Sequence, residues 1–222
     1  MSDNNIHKDV LPQLAELELI VHKPIIITDA DEVLFNFMQG LEQYLEDQGM
    51  YFDWSSFALH GNIRHKKNDQ PVDSEKFPVM LDNFFNDYAD RLPAVEGAAE
   101  NLEKLSKDAQ IVVLSNVPPK YAEKRKAGLK KAGLNYPLIA NVGAKGQVVR
   151  HMTDKSKGHA FFIDDIPHNH GSVAKHAEHV QRLHYIADER LAKLLDKAED
   201  SHVRLNDWKE IHDHIKDTLN RC

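Results

Sequence analysis

The sequence predicts an α/β fold: a Rossmann-like parallel sheet with helices on both faces and a small helical cap inserted near its start. Three observations carry that expectation. Apolar runs without polar alternation recur at residues 25–28, 111–114, 137–142 and 160–163, the pattern of strands buried on both faces. Stretches of helical character separate the later runs, as in a parallel sheet built from crossover units. The first and last runs end in acids, Asp29-Ala30-Asp31 and Asp164-Asp165, at the strand ends where open parallel sheets bind their ligands.

Taken in order, Pro24 introduces Ile25, Ile26, Ile27 and Thr28, a strand bounded by proline and by acids. The interval before the second strand is far longer than a crossover needs. Within it Leu34, Phe37, Met38, Leu41, Tyr44 and Leu45 have helical apolar spacing, residues 51–70 are polar and aromatic, and residues 77–92 return to a helical pattern. Pro93 and Gly97 bracket a turn, and Ala98, Leu102 and Leu105 lead a helix into the second strand. The expected domains are an α/β core of residues 1–35 and 93–222 and a helical cap of residues 36–92. Downstream, residues 120–132 and 147–152 are expected helices, 171–179 another, 180–186 a weak fifth strand, and 189–198 and 207–219 closing helices. Trp208, Ile211, Ile215 and Leu219 fall on one helical stripe, read first as core packing and second as a dimer surface.

Composition narrows the function. A chain of 222 residues suits one α/β domain with a modest insertion. Hydrophobic residues make up 41% and charged residues 28%, with 10 Gly and 9 Pro, which excludes collagen-like, mucin-like and disordered classes. Acids outnumber Lys and Arg by 35 to 28, a formal charge of −7, so no global field draws the chain to nucleic acid or an anionic bilayer, and neither is an expected partner. The one cysteine, Cys222, excludes an intrachain disulfide, a thiolate zinc site and an iron–sulfur cluster. The first ten residues are polar, and no apolar run reaches the ~18 residues of a membrane span; a cytoplasmic monomer or homodimer is the expectation.

Asp29, Asp31, Asp164 and Asp165 at neighbouring strand ends would raise one another's pKa unless a cation sat among them. Oxygen ligands without Cys favour a hard ion, most simply Mg²⁺. Each piece alone is a common turn or cap sequence. Their order is not: an apolar strand ending in DxDxVL, a later strand ending in Ser115-Asn116, a basic residue, then an apolar strand ending in Asp164-Asp165 resembles the haloacid dehalogenase (HAD) superfamily. The resemblance spans residues 25–165 and extends weakly to Trp208. A response-regulator receiver domain uses similar groups, but there the acidic pair comes first and the lone acceptor Asp follows.

The resemblance implies a Mg²⁺-dependent phosphatase acting on a small phosphorylated substrate. Asp29 would be the nucleophile that forms an aspartyl-phosphate, and Asp31 the general acid and base, with its backbone carbonyl a metal ligand. Ser115 and the backbone around Asn116 would bind phosphoryl oxygens. Lys145, followed by Gly146, fits the family lysine better than Lys124, Lys126, Lys155 or Lys157. Asp29, Asp31, Asp164 and Asp165 would form the metal site, with Asp165 favoured over Asp164 as the inner ligand. Where the family often has Gly after the second Asp, this chain has Glu32, an extra acid expected at the mouth. A phosphomutase of the same superfamily and a catalytically inactive binding or regulatory protein remain alternatives.

The 14 histidines include His168 and His170 beside the acidic pair, and His212 with His214; without thiolates or an HExxH pattern they are read as solvated or supporting groups rather than a zinc site. His60, Arg64, His65, Lys66 and Lys67 form a basic run, read first as a solvated loop and second as a contact for an anionic substrate. Phe52, Trp54 and Phe57 are expected to pack the cap.

Overall fold

The computed structural model describes residues 6–221; Cys222 lies outside them. A short helix α1 (Leu11–Glu16) buries Leu14 against the sheet, and Gln13 exchanges two hydrogen bonds with the main chain of Ala140. The sequence does not predict α1, whose single buried side chain is too little for a periodic signal. Strand β1 (Ile25–Thr28) is buried throughout.

The inserted segment then runs through α2 (Phe37–Asp47), β2 (Met50–Phe52), β3 (Ile63–His65) and α3 (Phe77–Tyr88). Both expected helices are present, and between them lies a short hairpin that the sequence did not predict. Met50, Phe52 and Ile63 alternate inward with a period of two and pair as an antiparallel hairpin. Asn62 fixes the connecting loop by hydrogen bonds to the Ser56 and Ala58 carbonyls and the Ser56 hydroxyl. Between α2 and α3, Phe84 meets the edges of Phe37 and Tyr44 at ring separations of 5.1 and 5.6 Å, a small aromatic core of the segment's own.

After the insertion come α4 (Ala98–Ser106), β4 (Gln110–Ser115), a 3₁₀ turn (Pro119–Tyr121), α5 (Ala122–Lys131), β5 (Leu138–Ala140), α6 (Gly146–Ser156), β6 (Ala160–Asp164), α7 (Pro167–His176), β7 (Gln181–His184), α8 (Glu189–Ala192), β8 (Val203–Arg204) and α9 (Trp208–Asn220). Six strands form one parallel sheet in the order β5-β4-β1-β6-β7-β8. Ile26, Ile111 and Phe161 point to one face and Ile25, Ile27, Val112 and Phe162 to the other, so each face has its own apolar layer. The expected α/β architecture is present.

Two helix ends differ from the expectation for visible reasons. Helix α7 starts at Pro167 rather than near residue 171, because Asp164 Oδ1 accepts the Ile166 N–H at 2.9 Å and proline suits a first helical turn. Helix α8 stops at Ala192 rather than near residue 198, where the Arg204 guanidinium binds the carbonyls of Ala192 and Leu195. The two-residue strand β8 is too short to read from the sequence. On α9, Trp208, Ile211 and Ile215 are buried and Leu219 half-buried, which answers for core packing, and Trp208 Nε1 donates to Val33 O at 2.9 Å. Among the described residues, no helix is long and apolar enough to cross a membrane.

Ion pairs tie the insertion to the core along two sides. Lys120 and Lys131 pair with Asp82 and Asp90 at 2.7 and 2.8 Å, and Lys124 donates to Asn86 O at 2.6 Å. Across the opening Arg190 meets Glu42 at 2.7 Å and lies 4.0 Å from the Trp54 ring centre.

Candidate active site

The adjacency of β1 and β6 decides the geometry. Thr28 pairs with Ile163 and Asp29 N donates to Ile163 O at 2.8 Å, so the chain leaves both strands side by side as Asp29 and as Asp164-Asp165. Carboxylate oxygens of Asp29, Asp164 and Asp165 lie within 4.8 Å of one another, and all three residues are buried. No other group of three or more His, Cys, Asp or Glu side chains is that close among the described residues.

Lys145 enters this cluster from the N-terminus of α6. Its ammonium is buried, 2.7 Å from Asp29 Oδ1 and 2.7 Å from Asp164 Oδ2. The next residue explains the reach: a Cβ on Gly146 would stand 2.2 Å from Ser172 O, so only glycine lets α6 start against α7 here. Lys124, Lys126, Lys155 and Lys157 do not line the cavity described below, which leaves Lys145 as the lysine in the cluster.

The electrostatics follow from burial and crowding. Burial pushes the Asp29 carboxyl up to about 7; Lys145 opposes that rise, and Asp164 and Asp31 add to it. Asp165 is raised well above the usual carboxylate range by burial first and then by Asp164, Asp29 and Glu32. Burial works to discharge Lys145, but Asp164 and Asp29 outweigh it and hold its pKa above the ordinary lysine value. Three carboxylates against one ammonium leave local negative charge that a bound cation would neutralise.

The two acids at the end of β6 differ in what they have left to offer. Asp164 Oδ1 accepts from Ile166 N and Asn169 Nδ2, both at 2.9 Å, and its Oδ2 takes the Lys145 hydrogen bond. Asp165 Oδ1 is buried without a partner. An orphaned buried carboxylate oxygen facing two other carboxylates is a donor set suited to a hard cation, so the residues present fit a divalent ion.

Asp31 turns away from the cluster. Its Oδ1 accepts a 2.7 Å hydrogen bond from Arg125 Nη2 on α5, and Arg125 is fully buried with its guanidinium 5.1 Å from the Phe35 ring centre. Nε and Nη1 of Arg125 have no hydrogen-bond partner. Ser115 is buried with Oγ accepting from Val117 N at 3.2 Å, and it does not line the cavity. Asn116 does line it, while its side chain donates to Gly143 O and accepts from Asn141.

Above the cluster is a cavity of about 230 Å³, floored by Asp29, Asp31, Lys145 and Asp165 and roofed by the insertion. Glu32 reaches it but is almost fully buried rather than free at the mouth. Its two oxygens accept from Met38 N and Asp188 N at 2.7 and 2.8 Å, pinning α2 and the start of α8. Burial raises its pKa to about 7, against the pull of those two amides.

Sequence reasoning did not single out Arg125 or Asn169. Arg125 is one of many cations in a basic helix, and nothing local marks it as buried. Asn169 sits between His168 and His170, yet it is Asn169 that lines the cavity, with His168 exposed and His170 set behind the cluster, 2.9 Å from Asp164 O. His212 and His214 contact Asp213 and Gln181 separately. The basic run of the insertion is used locally: Arg64 pairs with Asp53 at 3.1 Å, Lys66 with Glu46, and the His60 ring meets Phe77.

Solved structures share this architecture. A HAD family hydrolase from Deinococcus radiodurans, determined with bound phosphate and sodium, superposes with a TM-score of 0.57 at 15% identity, covering 89% of this chain and 97% of that one. The fold is HAD-like. A haloacid dehalogenase-like hydrolase from Streptococcus pneumoniae gives a TM-score of 0.58 at 11% identity over 86% of this chain and 97% of that one. A phosphonoacetaldehyde hydrolase-like protein from Oleispira antarctica gives 0.59 at 11% identity over 92% and 97%. No family model matches the chain, and no curated protein matches it in sequence. In this fold β1 and β6 are neighbours, and the carboxylate cluster lies where they end.

Proposed function

We propose that the protein is a Mg²⁺-dependent phosphoric monoester hydrolase working through an aspartyl-phosphate on Asp29. The observation that carries this reading is the cluster of Asp29, Asp164 and Asp165, with the buried Lys145 ammonium held between Asp29 and Asp164, at the carboxyl end of a HAD-like sheet.

In the first step a carboxylate oxygen of Asp29 attacks phosphorus, forming the Asp29–phosphoryl bond as the ester P–O bond breaks. The leaving oxygen takes a proton from Asp31. In the second step water attacks phosphorus, gives a proton to Asp31, and the Asp29–phosphoryl bond breaks to release phosphate. Lys145 lies where it can offset the charge of the transferred group. The main chain at Asn116 is assigned to the phosphoryl oxygens; Ser115, which does not line the cavity, is assigned to hold that turn through Val117 N. Arg125 anchors Asp31 between the two proton transfers.

Asp29, the Asp31 carbonyl and Asp165 would hold the ion directly, with Asp165 favoured by its unpartnered oxygen, and Asp164 would orient Lys145 and act through water. When bound, the ion supplies charge neutralisation for the carboxylates and the phosphoryl group. Residues 36–92 act as the cap, excluding bulk water over the cavity floor. The reading places the protein in the cytoplasm, on small phosphorylated substrates.

The test is release of inorganic phosphate from an aryl phosphate by wild type and Asp29→Asn, with Mg²⁺ and with EDTA. Turnover that requires Mg²⁺ and is lost in Asp29→Asn is expected. Turnover that persists in Asp29→Asn would overturn the nucleophile assignment, and its absence from Mg²⁺-loaded wild type on every ester would overturn the hydrolase.

A further inference from the structure

We propose that the cavity selects phosphate monoesters whose organic group is apolar and uncharged, rather than sugar or nucleotide phosphates; the inference rests on the phosphatase reading of the cavity floor. The wall above the carboxylates is built from Phe37, Met38, Phe57, Leu59, Phe85 and Leu191. Five of these six come from the helices of the insertion or from its hairpin loop, and Met38 is set by the Glu32 pin.

The polar groups on the same wall are largely committed. Both oxygens of Glu32 are taken by main-chain amides of Met38 and Asp188. Asn116 spends its amide on Gly143 O and its carbonyl on Asn141, and Asn169 gives its amide to Asp164. A sugar's hydroxyls seated here would give up water for carbon and for occupied groups, and each such burial is unfavourable. An apolar group would gain by the same burial.

Charge points the same way. Among the described residues Lys145 is the one Lys, Arg or His side chain on the cavity lining, and it belongs to the floor. The basic residues of the insertion lie elsewhere, with Arg64 and Lys66 paired to acids. A second phosphate or a carboxylate on the substrate would therefore meet no further cation on the lining, and Arg190 at the opening is already paired with Glu42 and Asp188.

The experiment is calorimetric titration of the full-length protein with Mg²⁺ and methyl-, propyl-, pentyl- and benzylphosphonate, with 2,3-dihydroxypropylphosphonate as the polar comparator. Kd is expected to fall about fourfold per methylene, the equivalent of ~0.8 kcal/mol for each buried CH₂, until the cavity is full. Benzylphosphonate should bind about tenfold or more tighter than the dihydroxypropyl compound. Leu59→Asn should flatten the series, whereas Val79→Asn, at an exposed apolar position of the same insertion, should leave its slope intact. A Kd that does not fall with chain length, or equal affinity for the benzyl and dihydroxypropyl probes, would overturn the inference. Hydrolysis of the matching alkyl phosphates separates it from the reaction it rests on. Chain-length-dependent binding without turnover defeats the hydrolase and leaves the apolar selectivity standing; turnover indifferent to chain length does the reverse.

Discussion

Replacing Arg125 with methionine and, separately, Asp31 with alanine takes apart a pair whose two members have different surroundings. Arg125 is fully buried; Nη2 donates to Asp31 at 2.7 Å, while Nε and Nη1 lack hydrogen-bond partners. An unsatisfied buried donor costs about 1–3 kcal/mol, so these two cost about 2–6 kcal/mol together. Against that stand a charge-assisted hydrogen bond contributing about 1.5–3 kcal/mol and the contact with the Phe35 ring, about 0.5–2 kcal/mol. The two sides nearly cancel, so Arg125→Met, with a flexible apolar chain in the same space, is expected to shift the unfolding free energy by less than about 1.5 kcal/mol. Asp31 is 20% exposed and can hydrate once freed. Asp31→Ala instead strands a buried cation, at a cost of about 3–5 kcal/mol. Urea denaturation of both variants in EDTA at neutral pH measures the difference. Equal losses, or a larger loss for Arg125→Met, would refute the reasoning.

Further outcomes follow from the same geometry. Gly146→Ala places a Cβ 2.2 Å from Ser172 O and is expected to cost about 1–3 kcal/mol by overpacking. By shifting Lys145 it should also lower kcat by up to about a hundredfold, measured by thermal melting and steady-state assay. His184 is buried and neutral: Nδ1 accepts from Ala198 N, Nε2 donates to Asp165 O, and burial lowers its pKa to about 4 from 6.5. Because the unfolded imidazole takes the proton first, this stability is present above pH 6.5 and lost as pH falls toward 4. Wild type should therefore lose about 3 kcal/mol relative to His184→Gln across that window, read from urea midpoints in EDTA; parallel pH curves would contradict it. Mg²⁺ at about a hundred times its Kd should add about 2.7 kcal/mol to stability, an effect expected to vanish in Asp165→Asn and visible by calorimetric melting.

The sheet was legible because its strands are buried on both faces. Ile25 to Thr28 is apolar or β-branched without interruption, and the structure buries all four residues. The acids were legible for a related reason: an apolar strand that ends in aspartates must place them at the carboxyl end of the sheet. Met50, Phe52 and Ile63 carried a weaker signal, since three-residue strands separated by a ten-residue loop leave too few positions to separate a period of two from a helical one. Glu32 illustrates the limit most clearly. Its charge argues for exposure, but at a left-handed backbone position, φ 56°, it folds back onto the Met38 and Asp188 amides, which come from residues six and 156 positions away. Arg125 was hidden in the same way, because its partner Asp31 is 94 residues distant and nothing in a basic helix says which cation turns inward.

The central claim is a covalent phosphoryl group on Asp29, and rapid acid quench of the Mg²⁺-loaded enzyme with an aryl phosphate, followed by peptide mass mapping, tests it most directly. The account predicts a transient phosphoryl adduct on the peptide holding Asp29, removed by neutral hydroxylamine and absent from Asp29→Asn. Steady phosphate release with no adduct at any quench time, or an adduct on another residue, would contradict it.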